Sequence, residues 1–218
     1  MSDIELVIFD CDGVLVDSEI ISAKMLKTTL VNLNVDISIA YILANFVGRS
    51  YPTVLKEIEA EFNVRLPDNF GDVYRESLIS EFEKSLTAIP FVRETIEALE
   101  IPYCVATSSS PQRVARSFAA TGLTDLFAEH VFTASQVQHG KPAPDLFLFA
   151  AKNMGMNPEK CLVIEDSIAG IKAAQSAGMN VMRFVGGTHL VGAANLTDVK
   201  QFASFQDFFS IFPNLKKH

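Results

Sequence analysis

The run Leu6-Val7-Ile8-Phe9-Asp10-Cys11-Asp12-Gly13-Val14-Leu15-Val16-Asp17 decides the reading of this chain. Its first four residues form a short apolar stretch of the kind that makes a strand buried on both faces, and residues 3–9 read as that strand. The stretch then breaks into two acids one residue apart, followed by glycine. In open α/β sheets, ligands bind at the carboxyl ends of the strands. Asp10 and Asp12 therefore stand where a site would be, on a tight turn closed by Gly13. Two carboxylates leaning over one point repel each other unless a cation or a shared proton intervenes. The simplest reading is a hard-cation site for magnesium, with one carboxylate free to do chemistry. A calcium loop fits poorly, because its glycine stands sixth between helices, whereas here glycine is fourth and a strand precedes it. Plain turn formation by aspartate is the other alternative, and it recedes as the rest of the chain is read.

The 218 residues suffice for one large domain, or for a core with a small insert. The net charge of −8 argues against nucleic acid or an anionic membrane as partner. It leaves an anionic small substrate open, since a bound cation changes the local sign. The three cysteines, Cys11, Cys104 and Cys161, are odd in number and lie in or beside apolar runs without a Cys-x-x-Cys pair. They read as reduced and buried, in a cytoplasmic protein. Cys11 lies between the two acids, but no nearby histidine or lysine activates it, so packing is its expected role. The N-terminus lacks a signal peptide's basic start, and no run is long enough to span a bilayer.

Beyond the opening strand the texture divides. Residues 18–84 read as helical throughout, with a helix from about Ser18 to Leu33, a loop at Phe46–Ser50, and amphipathic helices over Tyr51–Phe62 and Asp68–Phe82. The Asp17-Ser18-Glu19 triplet offers N-cap chemistry. After Thr87 the chain alternates. The pattern predicts helices at Phe91–Leu99, Pro111–Thr121, Pro144–Met154 and Ser167–Ala177, between strands at Tyr103–Thr107, His130–Phe132, Cys161–Ile164 and Val181–Phe184. A short helix around Phe205–Phe209 closes the chain. Alternating strands and helices make βαβ units and a parallel sheet. The fold class is thus α/β, with the opening strand joining the later part and the helical block inserted between them.

What stands at each strand end carries the chemistry. Asp10 and Asp12 follow the first strand, and Thr107, Ser108 and Ser109 end the second. Gly140-Lys141-Pro142 lies in the loop after the third, and Glu165, Asp166 and Ser167 follow the fourth. A parallel sheet gathers these ends on one rim. Acids for a metal, hydroxyl donors, a lysine and helix-start N–H groups together suit a phosphate with a cation and a nucleophile.

These four motifs, Asp10-x-Asp12-Gly-Val-Leu-x-Asp17-Ser, Ala106-Thr107-Ser108-Ser109, Gly140-Lys141-Pro142-x-Pro144-Asp145 and Ile164-Glu165-Asp166-Ser167-x-Ala169-Gly170, resemble the haloacid dehalogenase superfamily across essentially the whole chain. The likeness is to the branch with a small helical cap after the first motif, which holds sugar-phosphate phosphatases, phosphoglycolate phosphatases and β-phosphoglucomutases. The opening motif with Leu15–Glu19 looks similar to bacterial 6-phosphogluconate-type phosphatases. The resemblance implies a doubly wound, Rossmann-like core at 1–16 and 87–218 and a helical cap at 17–86. It also implies an aspartyl-phosphate on Asp10, with Asp12 as general acid and base. For Mg²⁺ it implies Asp10, the Asp12 carbonyl and Asp166 as ligands, with Glu165 direct or one water away. Thr107, Ser108, Ser109, Gly13 and Lys141 would hold the phosphate, Lys141 pairing with Asp10 as well. Family dehalogenases lack the second acid, and phosphonate hydrolases carry a small residue there, so Asp12 leaves phosphatase and phosphomutase. Phosphatase is the leading reading, acting on a small phosphorylated metabolite. A phosphomutase is the alternative, and a non-catalytic sensor is a weaker one. Arg49, beside Gly48, is the candidate contact from the cap to the substrate. Hinges are expected near Val16 and Thr87. His139 and His189 read as loop residues without a task, and the protein as a monomer or weak homodimer.

Overall fold

The computed structural model describes residues 4–127, 129–191 and 198–217. Strand β1 (Leu6–Phe9) is wholly buried, as an unbroken apolar run requires, and occupies the middle of the sheet. Residue 3, expected to open this strand, lies outside the described residues. Four helices follow: α1 (Glu19–Val31), α2 (Ile39–Phe46), α3 (Tyr51–Phe62) and α4 (Phe70–Ser85). The alternating part then supplies α5 (Val92–Glu97), β2 (Tyr103–Thr107), α6 (Pro111–Thr121), β3 (Val131–Thr133) and α7 (Asp145–Asn153). It ends with β4 (Cys161–Glu165), α8 (Ile168–Ser176), β5 (Asn180–Phe184), β6 (Gln201–Phe202) and α9 (Phe208–Ile211).

Among the described residues the six strands run parallel in the order β3-β2-β1-β4-β5-β6. The chain builds outward from β1 on one side, then crosses back to build on the other. β1 is therefore the point where strand order reverses, and the crevice there is where such sheets bind ligands. Register sets the geometry: Phe9 is level with Ile164 of β4 and Val105 of β2. Asp10 N donates to Ile164 O at 2.9 Å, so Asp10 leaves the sheet beside Glu165. Successive residues of each strand face opposite sides. Val7, Phe9, Val105 and Ile164 enter one apolar cluster, whereas Leu6, Ile8, Ala106 and Val163 enter the other with α7 and α8. Both faces of the sheet are thus covered, which explains why its strands carry apolar runs rather than alternation.

Several local readings are corrected. Ser18 stands at the start of α1, but its hydroxyl does not cap the helix; it donates to Asp12 Oδ1 at 2.5 Å. The stretch before Phe46 forms a separate short helix, α2, capped by Ser38, whose hydroxyl accepts from Tyr41 N at 3.0 Å. Phe91 adopts φ +65°, a left-handed conformation outside a helix, so α5 begins one residue later than expected and ends at Glu97. β6 has two residues and too little pattern to stand out in sequence. The two crossings between sheet and helical insertion lie side by side. Asp17 N donates to Thr87 O at 3.0 Å, and Ile89 N to Leu15 O at 2.9 Å.

The far side of β5 is sealed by phenylalanines. The Phe205 ring lies 4.8 Å from Phe184 and 5.4 Å from Phe202, centroid to centroid, and is 1% exposed. Truncating a fully buried phenylalanine forfeits its transfer free energy and leaves a cavity. Phe205→Ala is therefore expected to lower stability by about 3–5 kcal/mol in urea unfolding. A loss below about 1 kcal/mol would mean that this cluster does not close the sheet.

Candidate active site

The site begins with one cation among acids. Lys141 Nζ donates to Asp10 Oδ1 at 2.7 Å and to Glu165 Oε1 at 2.7 Å. Its ammonium also lies 4.8 Å from the centre of the Phe147 ring, within cation–π range. Glu165 is saturated from its other side, where Oε2 accepts from Ser167 N at 2.7 Å and Ser167 Oγ at 3.0 Å. The same Ser167 hydroxyl accepts from Gly170 N at 3.0 Å and caps α8, as a serine at that position should. Gly170 must lack a side chain, because a Cβ there would collide with the Glu165 carboxylate. Asp166 completes the acidic set; its backbone carbonyl accepts from Arg183 Nε at 3.2 Å.

Carboxylate oxygens of Asp10, Glu165 and Asp166 lie within 4.8 Å of one another, all three residues buried. Burial pushes Asp10 and Asp166 well above the usual carboxylate range, and the Glu165 charge raises both further. Burial would lower Lys141, but Asp10 and Glu165 outweigh it and keep the ammonium charged. Asp166 Oδ2 is buried without a hydrogen-bond partner. An all-oxygen donor set, buried and carrying excess negative charge, fits a hard divalent cation.

Asp12 has a different environment. Its Oδ1 accepts from Ser18 Oγ and from Arg113 Nη2 at 2.6 Å, and its Oδ2 accepts from Ser109 Oγ at 2.5 Å. Burial would raise this carboxyl, but the guanidinium and both hydroxyls outweigh it and hold it below its ordinary value. Arg113 Nη2 also donates to Ser22 Oγ of α1 at 2.9 Å, and the guanidinium lies over the Phe82 ring of α4 at 5.3 Å. One arginine thus joins the sheet rim to two helices of the insertion. Cys11 is buried with its thiol pushed up by that burial, consistent with packing.

The remaining predicted residues lie around this centre. Thr107 is buried, and its hydroxyl accepts from Ser109 N at 3.1 Å. Ser108 Oγ donates to Gly48 O at 3.1 Å, so the Val47–Ser50 loop touches the rim. Gly48 takes φ +77° and has no room for a side chain against Ser167. Arg49 lines the same cavity but its guanidinium pairs with Glu57 on α3, at 41% exposure, and with no site acid. Gly13, at φ +77°, packs against the Asp166 carboxylate. The cavity over these groups measures about 700 Å³; Thr107–Ser110 and Lys141 line it below, and Ile42, Phe46, Tyr51 and Tyr74 above.

Three participants escaped the sequence reading. Arg113 lies in the first turn of α6, which Ser110 caps, but its partner is 101 residues away. Glu19, which looked like ordinary acid at a helix start, lines the cavity; burial, followed by Asp12 and Asp166, raises its carboxyl to about 8. His189 is expected from sequence to be a loop residue without a task. Its side chain is instead buried with Nε2 2.9 Å from Asp166 Oδ2, and burial lowers its imidazole below the usual value. The available signal was the Gly186-Gly187 pair before it. His139 remains at the surface, paired with Asp145.

A sheet rim that brings oxygen donors, a buried lysine and helix-start hydroxyls to one strand-order reversal suits a phosphoryl group beside a cation. A family model described as haloacid dehalogenase-like hydrolase matches residues 4–178. The chain is 30% identical over 190 residues to a 6-phosphogluconate phosphatase of Escherichia coli, covering 87% of this chain and 86% of the relative. It is also 30% identical over 177 residues to a fructose-1-phosphate phosphatase of the same organism, covering 80% and 93% respectively. A solved hydrolase of the family from Deinococcus radiodurans, with bound phosphate and sodium, superposes with a TM-score of 0.75 at 29% identity, covering 99% of this chain and 97% of that one. The chain belongs to the haloacid dehalogenase-like hydrolases, as a phosphoric monoester hydrolase.

Glu19 yields a pH test. Its folded-state pKa of about 8 exceeds the ordinary glutamate value near 4.3. The native state therefore binds the proton more tightly, and that stabilising difference is lost as pH rises from about 4.3 through 8. Glu19→Gln mimics the protonated form at every pH. Urea unfolding in EDTA should show the variant gaining on wild type between pH 5 and pH 9. An equal difference at both values would contradict the assignment.

Proposed function

We propose that the protein is a Mg²⁺-dependent phosphatase acting on a small sugar phosphate or sugar-acid phosphate through an aspartyl-phosphate on Asp10. The observation that carries this reading is the Lys141 bridge between Asp10 and Glu165 beside Asp166. It holds one carboxylate at a strand end, oriented and next to a donor set that fits a divalent cation. The named activities of the two Escherichia coli relatives support the substrate class, and the phosphate bound to the Deinococcus radiodurans neighbour supports the site's ligand.

In this reading Asp10, Asp166 and the Asp12 carbonyl would hold Mg²⁺, and Glu165, already engaged by Lys141 and Ser167, would reach the ion through water. The bound ion supplies charge neutralisation on the phosphoryl oxygens. Asp10 Oδ attacks phosphorus as the ester P–O bond breaks, and the leaving oxygen takes its proton from Asp12. Water then attacks the same phosphorus, its proton goes to Asp12, and the bond to Asp10 breaks to release inorganic phosphate. The Arg113 pair favours the carboxylate form of Asp12, the one that accepts a proton from water. Donation in the first step requires Asp12 to turn out of that pair. Lys141, Thr107 and the backbone N–H of Ser108 hold the phosphoryl oxygens, with Ser109 and Gly13 beside them. Residues 17–86 act as a cap that closes over the substrate and excludes water. Arg49 turns from Glu57 toward the substrate's far end.

The test is phosphate release from a panel of phosphorylated sugars, sugar acids and glycolate. Release is expected for one compound class with Mg²⁺ and not with EDTA. Asp10→Asn should lose more than about 10³-fold in kcat while remaining folded at the assay temperature, since the covalent route has no substitute nucleophile. Residual turnover above a few per cent of wild type would remove Asp10 from its role. Interconversion of glucose 1-phosphate and its 6-isomer without phosphate release would assign the chain as a mutase.

A further inference from the structure

The phosphatase reading gives no task to His189, a buried titratable side chain. His189 belongs to the turn Thr188–Leu190 after β5, yet its side chain is 2% exposed, against 1% for the Asp166 carboxylate that it meets. Its Nε2 lies 2.9 Å from Asp166 Oδ2. That oxygen and both ring nitrogens are buried without a completed hydrogen bond among the described residues. Three orphaned polar atoms at one place are costly, and native proteins leave few of them.

The surroundings fit a built contact. Thr188 N and Oγ1 donate to Asp17 Oδ1 at 3.1 and 2.9 Å, tying the turn to the chain that leaves the first motif. Leu190 N donates to Gly187 O at 3.0 Å and closes the turn. Two glycines from separate loops make room for the ring. A Cβ on Gly13 would stand 2.9 Å from His189 Cε1, and a Cβ on Gly187 would stand 2.8 Å from Cε1 and Nδ1. Arg183 Nε donates to the Asp166 backbone carbonyl from the β5 side.

We propose that His189 is a positioning residue for the Asp166 carboxylate, donating from Nε2 to Oδ2 and fixing that carboxylate toward the divalent cation. A metal-binding carboxylate has to be held in one rotation, and partners behind the ligands set affinity by about 10–100-fold. His189 touches neither substrate nor reacting atoms in this scheme; it acts through Asp166. The inference rests on the metal-dependent reading above.

The experiment measures metal binding rather than turnover. Mn²⁺ is titrated into the metal-free protein and the free ion counted by electron paramagnetic resonance. Wild type should bind one ion. His189→Phe fills the slot without a donor and should raise the Kd about 10–100-fold. His189→Gln, which restores an N–H at similar reach, should recover most of the affinity. Gly187→Ala crowds the ring from outside and should raise the Kd in the same direction, which keeps the test open should the Phe variant fail to fold. Unchanged Kd in the folded Phe variant, or in Gly187→Ala if that variant alone folds, would overturn the inference while leaving the metal reading in place. No Mn²⁺ binding by wild type at millimolar ion would overturn the metal reading, and this inference with it.

Discussion

The Lys141 ammonium, closed in between Asp10 and Glu165, is the interaction on which the site depends. Burying an ion costs several kcal/mol unless its partners and hydrogen bonds are complete. Lys141 has both partners at 2.7 Å and an aromatic face behind it. Glu165 is completed by Ser167, which caps the helix beginning there. The parallel register of β1 with β4 brings the two acids level at the rim. The arrangement neutralises one charge and leaves Asp166 and the remainder of Asp10 in excess. Burial drives both carboxyls upward, and the neighbouring Glu165 charge adds to it. The excess negative charge makes a dication of oxygen preference the natural complement.

Two aspartates two residues apart are pushed in opposite directions by their surroundings. Asp10 faces inward to Lys141 and other acids, and burial dominates. Asp12 faces Arg113, Ser109 and Ser18, and those partners override burial. Separated carboxyl environments are how one site assigns different acid–base roles to chemically identical groups. The tight turn at Gly13 makes the separation geometric: Asp10 N stays hydrogen-bonded to β4, while Asp12 has already turned toward α1 and α6. Arg113 extends this division to the insertion, since its nitrogen is shared between Asp12 and Ser22.

Legibility in the sequence followed the range of the interaction. The apolar run of β1 ending in Asp10 declared a buried strand and a rim site at once, and the ends of β2 and β4 did the same. Caps that act within three residues, as at Ser110 and Ser167, depend only on local sequence. Ser18 was misread because the same serine chemistry that caps a helix serves Asp12 instead. Arg113, Glu19 and His189 were missed because each acquires meaning from a partner brought near only by the sheet. Phe91 illustrates a local failure: nothing in a phenylalanine signals a positive φ.

The central claim is that Asp10 carries the phosphoryl group. The most direct measurement mixes enzyme with an accepted substrate and Mg²⁺, quenches in acid during turnover, and reduces the protein with borohydride, which converts an aspartyl-phosphate to homoserine. Mass spectrometry of the peptide containing residue 10 should show homoserine there, dependent on substrate. Unmodified Asp10 in a sample quenched during verified turnover, with the phosphoryl group found on another side chain, would contradict the account.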